Sequence, residues 1–230
     1  MHSGHFLSWI DQAPVERRVE AARALGRAFG EFTSSADDVE TAEAAATLLA
    51  DDPDPKVRLA LAEAFAAQPL APRHVVMSLA GDLPEIAALV LACPPVFVDG
   101  ELAEIAAGAS PEARIAIACR ARVSAPLAAR LAACGDGEEC RALLANSGAD
   151  IEPATLHVIA ERLGIRPDIR RLLLENPRLA PRTRLLLIEK LARSVEGRIS
   201  PGTVGHERLG ALSRETCDKA IVAYAARVDE

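Results

Sequence analysis

A short pattern that starts helices returns along this chain at nearly constant spacing. Its copies are Pro55-Lys56-Val57-Arg58, Pro84-Glu85-Ile86-Ala87, Pro111-Glu112-Ala113-Arg114, Glu138-Glu139-Cys140-Arg141 and Pro167-Asp168-Ile169-Arg170. The third positions lie 29, 27, 27 and 29 residues apart. Proline suits a first helical turn, where its missing N–H would be unpaired in any case. The acid that follows it at Glu85, Glu112 and Asp168 suits the positive end of the helix dipole.

A second pattern interleaves with the first. It reads Leu70-Ala71-Pro72, Val98-Asp99-Gly100, Val123-Ser124-Ala125-Pro126, Ile151-Glu152-Pro153 and Leu179-Ala180-Pro181, with steps of 28, 25, 28 and 28. Two series with one period make a unit of two helices, each about ten residues long. A unit that small cannot bury its own apolar face and must stack on its neighbours. The expected fold is therefore all-α: a right-handed α-solenoid of short, about 28-residue, HEAT-like helical repeats with helical caps at both ends. Ala and Leu dominate the apolar half of the chain and aromatics are only 3%, which favours closely packed helices over strands.

Between the starts, apolar residues keep helical spacing. Val57, Leu61 and Phe65 form one stripe. Near the other end Leu185, Ile188 and Ala192 form another, widened by Leu186, Leu187 and Leu191, and a stripe that wide predicts burial on two sides. Unit ends carry Cys93, Cys119, Asn146 and Asn176, short groups able to satisfy free backbone atoms at a turn.

We read one continuous domain in three parts. Residues 1–52 supply N-terminal capping helices. One spans 15–32 with Val15, Val19, Ala22, Leu25, Phe29 and Phe32 on its inner face, and the next starts after Ser34-Ser35 and ends at Ala50. Residues 53–193 hold five helix–turn–helix repeats. Residues 194–230 hold a Gly- and Pro-rich loop from Ser194 to Gly205, then a capping helix with Leu209, Leu212, Thr216, Ala220, Ile221 and Tyr224 inward.

Charge bears on partners. The net charge is −7 and the pI about 5.4, against the Lys/Arg excess of a general nucleic-acid binder. Five cysteines, Cys93, Cys119, Cys134, Cys140 and Cys217, are odd in number and lie mostly in helical text, so a reducing, cytoplasmic setting is expected. The apolar patch Phe6-Leu7-Ser8-Trp9-Ile10 is too short for a signal-peptide core, and no run nears the ~18 apolar residues of a membrane span.

The stretch Leu48-Leu49-Ala50-Asp51-Asp52, followed by Val57 to Ala62, resembles the opening of the second helix of a HEAT repeat. The unit is shorter than the ~40–47 residues of HEAT or armadillo repeats. Val57-Arg58…Pro69…Pro72 and Ile169-Arg170…Asn176-Pro177…Pro181 resemble the leucine-rich repeat variant, and these likenesses cover residues 48–193. The whole chain also resembles the N-terminal region of the bacterial domain of unknown function 2336 family. The residues that carry this are Phe6-Leu7, Ala13-Pro14, Leu49 to Pro53, Val57-Arg58, Ala71 to Val76 and Ile159 to Arg162. The resemblance implies a HEAT-like fold in the bacterial cytosol and supplies no catalytic residue. It also implies relatives that often run further at the C-terminus, so a short or truncated chain is expected.

Two sets of residues are candidates for binding. The first is a repeat Arg row, Arg58, Arg114, Arg141 and Arg170, at one residue per unit. It would either grip phosphate or carboxylate bidentately or tie neighbouring turns through Asp52, Asp54, Glu112, Glu139 and Asp168. The ties are the favoured reading, because exposed charged rows are usually solvated or paired. The second set follows from charge asymmetry. Residues 1–110 carry 17 acids and 7 bases, a net of −10, whereas residues 162–198 carry 4 acids and 10 bases, a net of +6. The basic patch comprises Arg162, Arg166, Arg170, Arg171, Arg178, Arg182 and Arg184, with Lys190, Arg193 and Arg198 beyond. It would attract an acidic surface or segment of a protein partner, or the acidic half of a second copy.

Other groups read as structural. Cys134 and Cys140 lack CxxC spacing and a neighbouring His, so burial is expected rather than zinc or redox chemistry. His2 and His5 near the terminus receive no metal role, and His74 and His157 are expected to be surface or packed side chains. Asp51-Asp52-Pro53-Asp54-Pro55 lacks the pattern of a calcium loop and reads as a helix start with Asp54 as N-cap. With no P-loop, Rossmann glycines, nucleophile elbow or HExxH, no catalytic residue, metal or cofactor is expected.

The function expected is a non-enzymatic protein–protein interaction scaffold in bacterial signalling or regulation. One alternative is a helical-repeat nucleic-acid binder or DNA glycosylase-like enzyme, which needs aromatics to hold an unstacked base. Trp9 and Tyr224 are the chain's single Trp and Tyr, and both lie outside the repeats. A second alternative is a HEAT-like lyase, which needs an enclosed pocket with converging polar groups.

Overall fold

The computed structural model describes residues 9–10, 12–31, 36–66, 68–92 and 96–196. Among these, twelve α-helices follow one another and no strand is present; one isolated parallel bridge joins Val123 and Ala149. The helices are α1 (Val15–Glu31), α2 (Ala36–Ala50), α3 (Pro55–Phe65), α4 (Arg73–Ala80), α5 (Pro84–Ala92), α6 (Asp99–Gly108), α7 (Pro111–Ala118), α8 (Ala125–Cys134), α9 (Gly137–Ala145), α10 (Pro153–Leu163), α11 (Pro167–Glu175) and α12 (Pro181–Glu196). They fall into two compact units, with the boundary between Ile151 and Glu152.

Helix starts follow the chemistry of their first residues. Pro55, Pro84, Pro111, Pro153, Pro167 and Pro181 each open a helix. Asp54 caps α3, its side chain accepting from the Lys56 N–H at 2.9 Å, and Ser110 caps α7 through the Ala113 N–H at 3.2 Å. Without a proline, α9 relies on Glu139, which accepts the Asp136 N–H at 3.1 Å.

In the first unit alternate helices touch. Helix α1 packs on α3, α3 on α5, α5 on α7 and α7 on α9; α2 packs on α4 and α6 on α8. The expected stripe Val57, Leu61 and Phe65 is fully inside, and Phe65 meets Phe29 of α1 edge-on with ring centroids 5.3 Å apart. A buried side chain of this size contributes about 1.5–3 kcal/mol by leaving water. The α1–α3 crossing is close because position 26 is glycine: a Cβ there would lie 2.3 Å from Ala64 Cβ.

Buried polar groups finish the helix ends. Arg120, which follows α7, is buried and donates from Nη1 to the Leu91 carbonyl near the end of α5 at 2.7 Å. Asn146, just after α9, donates from Nδ2 to the Ala118 and Arg120 carbonyls at 2.7 and 2.8 Å, while its Oδ1 accepts the Gly148 N–H. Carbonyls that no helix can satisfy internally are thus met by the next helix in the row. Asn176 accepts the Arg178 N–H, and Cys119 is the exposed C-cap of α7.

In the second unit α10 packs on α11 and α12. Leu156, Ile159, Ala160, Ile169, Leu173 and Leu187 are buried. His157 Nδ1 lies 3.1 Å from Oγ1 of buried Thr183 and joins α10 to α12. Here two expectations are corrected. The buried positions of α12 are Thr183 and Leu187, whereas Leu185 and Leu191 are 40% and 42% exposed, so the wide stripe is covered on one side only. The helix also runs past Ser194 to Glu196, since nothing before Gly197 breaks it. Phe32, Ser34, Ser35, Cys93, Cys217, Arg198 and the expected C-terminal loop and helix lie outside the described residues.

Candidate interaction surface

The arginine row resolves into a repeated device. Arg58 leaves α3, donates from Nη1 to the carbonyls of Asp52 and Pro53, and grips Asp82 ahead of α5, with Nε–Oδ2 at 2.6 Å and Nη2–Oδ1 at 3.0 Å. Arg114 does the same from α7: Nη1 meets the Ala109 carbonyl at 2.7 Å and Nε meets Glu139 of α9 at 3.2 Å. Arg18 of α1 adds a third copy, with Nη1 on the Ala13 carbonyl at 2.7 Å and Asp52 held at 2.7 and 3.1 Å. Each fork ties the carbonyl before its own helix to an acid at the start of the next alternate helix.

These pairs are partly buried, and they shift titration. Asp82 loses water, which opposes its charge. The Arg58 hydrogen bonds, the Leu83 N–H and the Arg58 charge outweigh that and hold its carboxyl below the ordinary value. The same bonds raise Arg58, and those of Asp52 raise Arg18.

The row members differ from expectation in their partners. Asp52 serves Arg18 through its carboxylate rather than Arg58, and Asp82 was not among the expected acids. Asp54 caps its helix. Arg141 pairs with Glu138, three residues before it, and Arg170 donates to the Ile165 carbonyl. Asp168 takes Arg166 at 2.8 and 3.2 Å instead, which lowers its carboxyl to about 2. Arg18 and Asp82 were legible only faintly: Arg18 follows Pro14 by four residues where the other copies have three.

The device is absent at α9 and α11, where Arg141 and Arg170 hold local groups, and at α5, where the arginine itself is missing. At the register position of the row, α5 carries Ala87; ahead of α7, Gly108 and Ala109 stand where Asp52 and Asp82 precede α3 and α5, and Glu112 stands at the register of Glu139. A half-open cleft of about 340 Å³ lies there, lined by Met77, Asp82, Ala87, Ile105, Ser110 and Ala113 among others.

The basic patch lies in the second unit. Arg162, Arg171, Arg178 and Arg182 are exposed, and Arg166, Arg170 and Arg184 partly so. Arg171, Arg182 and Arg184 have no ion-pair or hydrogen-bond partner among the described residues. Lys190 donates to the Glu161 carbonyl and Arg193 pairs with Glu189. Exposed Leu174, Leu185 and Leu191 sit on the same two helices, α11 and α12.

The remaining candidates are placed as follows. The Cys134 thiol donates to the Ala106 carbonyl at 3.5 Å and buried Cys140 to that of Gly135 at 3.8 Å. His74 Nε2 lies 2.9 Å from Thr47 Oγ1 and His157 3.4 Å from Glu161. His2 and His5 lie outside the described residues. Among the described residues no helix is long and apolar enough to cross a membrane.

A family model described as "Uncharacterised protein conserved in bacteria (DUF2336)" matches residues 86–230, more than half of the chain. Ile159 to Arg162 lie within that span, and the other residues on which the sequence resemblance rested precede it. No curated protein and no solved structure matches the chain.

Proposed function

The chain belongs to the bacterial DUF2336 family, and from that premise we propose that it is a non-catalytic scaffold for protein–protein interaction. Its helix pairs form short HEAT-like repeats of an α-solenoid, working in the cytoplasm in signalling or regulation. The alternation of helix contacts supports the repeat reading, since α1, α3, α5, α7 and α9 meet in succession, α2 meets α4 and α6 meets α8 in the first unit, and α10 meets α12 in the second.

The observation that carries the binding reading is the set of Arg171, Arg182 and Arg184. Their charges are left uncompensated among the described residues, on the two helices that also carry exposed Leu174, Leu185 and Leu191. Cations with apolar neighbours suit an acidic protein segment that also carries apolar anchors. The cations would speed encounter, and the leucines would slow release.

The test is affinity purification from the native bacterium, with wild type beside the triple variant Arg171→Glu, Arg182→Glu, Arg184→Glu. Quantitative mass spectrometry should find a stoichiometric protein held by wild type and released by the variant, and by wild type at raised salt. A partner retained equally by both would remove the patch from the reading. Salt-dependent DNA binding without any protein partner would overturn the scaffold itself.

A further inference from the structure

The cleft beside Ala87 has a shape that the rest of the chain explains. In three other places an arginine fills the corresponding position, with its fork between a loop carbonyl and an acid. Here the arginine is replaced by Ala87, and Gly108 and Ala109 stand at the registers of Asp52 and Asp82, while Glu112 holds that of Glu139; part of the surroundings thus persists. Asp82 stands five residues before Ala87, as Ala13, Pro53 and Ala109 stand before Arg18, Arg58 and Arg114. Among the described residues the Asp82 backbone carbonyl accepts no hydrogen bond. Its carboxylate accepts two bonds from Arg58 and one from the Leu83 N–H, which of about four lone-pair positions leaves one, on Oδ2.

We propose that this cleft binds an arginine side chain presented by a partner protein, supplying in trans the guanidinium that the row lacks. Three observations support arginine as the occupant. First, the volume of about 340 Å³ is at the small end of the ~300–1,000 Å³ range for ligand sites, enough for one extended side chain. Second, the walls are mixed in the manner an arginine needs. Met77, Ile105 and Ala113 offer apolar surface to its stem, and Asp82 and Ser110 offer oxygens to its head. Third, the charge is right. Residues 84–118 carry five acids, Glu85, Asp99, Glu101, Glu104 and Glu112, against the one base Arg114, which Glu139 already holds. Glu85 and Glu112 lie in the first turns of α5 and α7, are exposed, and have no ion-pair partner among the described residues. A cation approaching the cleft therefore meets an attractive field. Lysine would satisfy the field but not the fork, because its ammonium is a compact, strongly hydrated charge. This site is in the first unit and does not depend on the basic patch of the second.

The full chain, isotopically labelled, is titrated with Nα-acetyl-arginine amide and followed by amide NMR. The expected result is a saturable shift centred on Asp82, Ala87 and Ser110, with half-saturation in the millimolar range for so small a probe. The lysine analogue should bind more weakly, and the neutral isostere acetyl-citrulline amide should cause no saturable shift. Ala87→Arg combined with Ala109→Asp, which puts the acid at the register of Asp82, restores the row within the chain, and should abolish the titration while raising the melting temperature. Glu85→Gln with Glu112→Gln leaves the cleft walls untouched and should weaken binding about threefold. No saturable shift, equal shifts with citrulline, or undiminished binding in the Ala87→Arg, Ala109→Asp chain would each overturn the proposal. Should that double variant fail to fold, an unchanged affinity in the Glu85→Gln, Glu112→Gln chain decides against it.

Discussion

Arg58 and Asp82 lie 24 residues apart in sequence and meet through two parallel hydrogen bonds of 2.6 and 3.0 Å, joining α3 to the start of α5. The same guanidinium holds the carbonyls of Asp52 and Pro53, so one side chain fixes two successive helix starts. Because α3 and α5 also pack directly, the fork sets the register of an apolar contact that alone could slide.

Asp82→Asn removes the charge and one acceptor while leaving Arg58 partly buried. The expected cost is about 1–3 kcal/mol, read from urea unfolding at neutral pH. The pH dependence has a definite sign. The folded-state pKa of Asp82 is depressed, so its contribution is present above the unfolded carboxylate value of about 3.9. It is lost as pH falls through the lower native value. The stability gap between wild type and Asp82→Asn should therefore close on acidification below about pH 4.

Asp168 titrates on the surface and can be followed directly. NMR of the side-chain carboxyl should show its midpoint at about 2, because Arg166 hydrogen-bonds the ionised form. Arg166→Gln should return it toward the ordinary value of about 3.9. An unchanged midpoint in that variant would mean that the Ile169 N–H, not Arg166, sets the shift.

Gly26→Ala puts a methyl 2.3 Å from Ala64 Cβ and 3.0 Å from the Ala64 carbonyl oxygen. Helix propensity alone would favour alanine by about 1 kcal/mol. The clash should reverse that and cost about 1–3 kcal/mol in denaturant midpoint. Ala64→Gly in the same chain should recover part of the loss, because it removes the nearer of the two contacts.

Asn146 gives a test by sign. Asn146→Ala leaves the Ala118 and Arg120 carbonyls without their donor and should cost about 1–3 kcal/mol. Asn146→Asp keeps the acceptor for the Gly148 N–H but turns an anionic oxygen toward two carbonyls. Its thermal stability at neutral pH should fall below that of the alanine variant, and the difference should shrink once the carboxyl is protonated.

Arg171, Arg182 and Arg184 should behave oppositely. Single substitutions to Ala should each leave stability within about 0.5 kcal/mol, as calorimetry would show, because they have no partner to lose among the described residues. A larger loss at any of them would mark it as structural and weaken its candidacy for partner binding.

Legibility in the sequence divided along physical lines. Helix starts were readable because they depend on neighbours in the chain: Pro55, Pro111 and Pro167 sit in first turns, and Asp54 caps α3 as its spacing required. The core stripe Val57, Leu61, Phe65 was readable from helical periodicity. The pairing of arginines with acids was readable only in kind. Asp52 and Glu139 were recognisable as partners, but Asp52 went to Arg18, Asp82 was missed, and Arg141 and Arg170 found local groups instead. On α12 the composition was ambiguous, since Leu185, Leu187 and Leu191 are the same residue and only Leu187 is covered.

Local chemistry in the chain thus settled where helices begin, which side chains have to leave water, and that the second unit carries a surplus of cations. These follow from bonds and periodicities that span a few residues. Which arginine meets which acid, how closely α1 can approach α3 at Gly26, and that Ala87 and Ser110 leave a cleft rather than a closed seam were decided by the tertiary structure. Those outcomes depend on distances between segments some 20 to 40 residues apart, and only the packing of whole helices sets such distances.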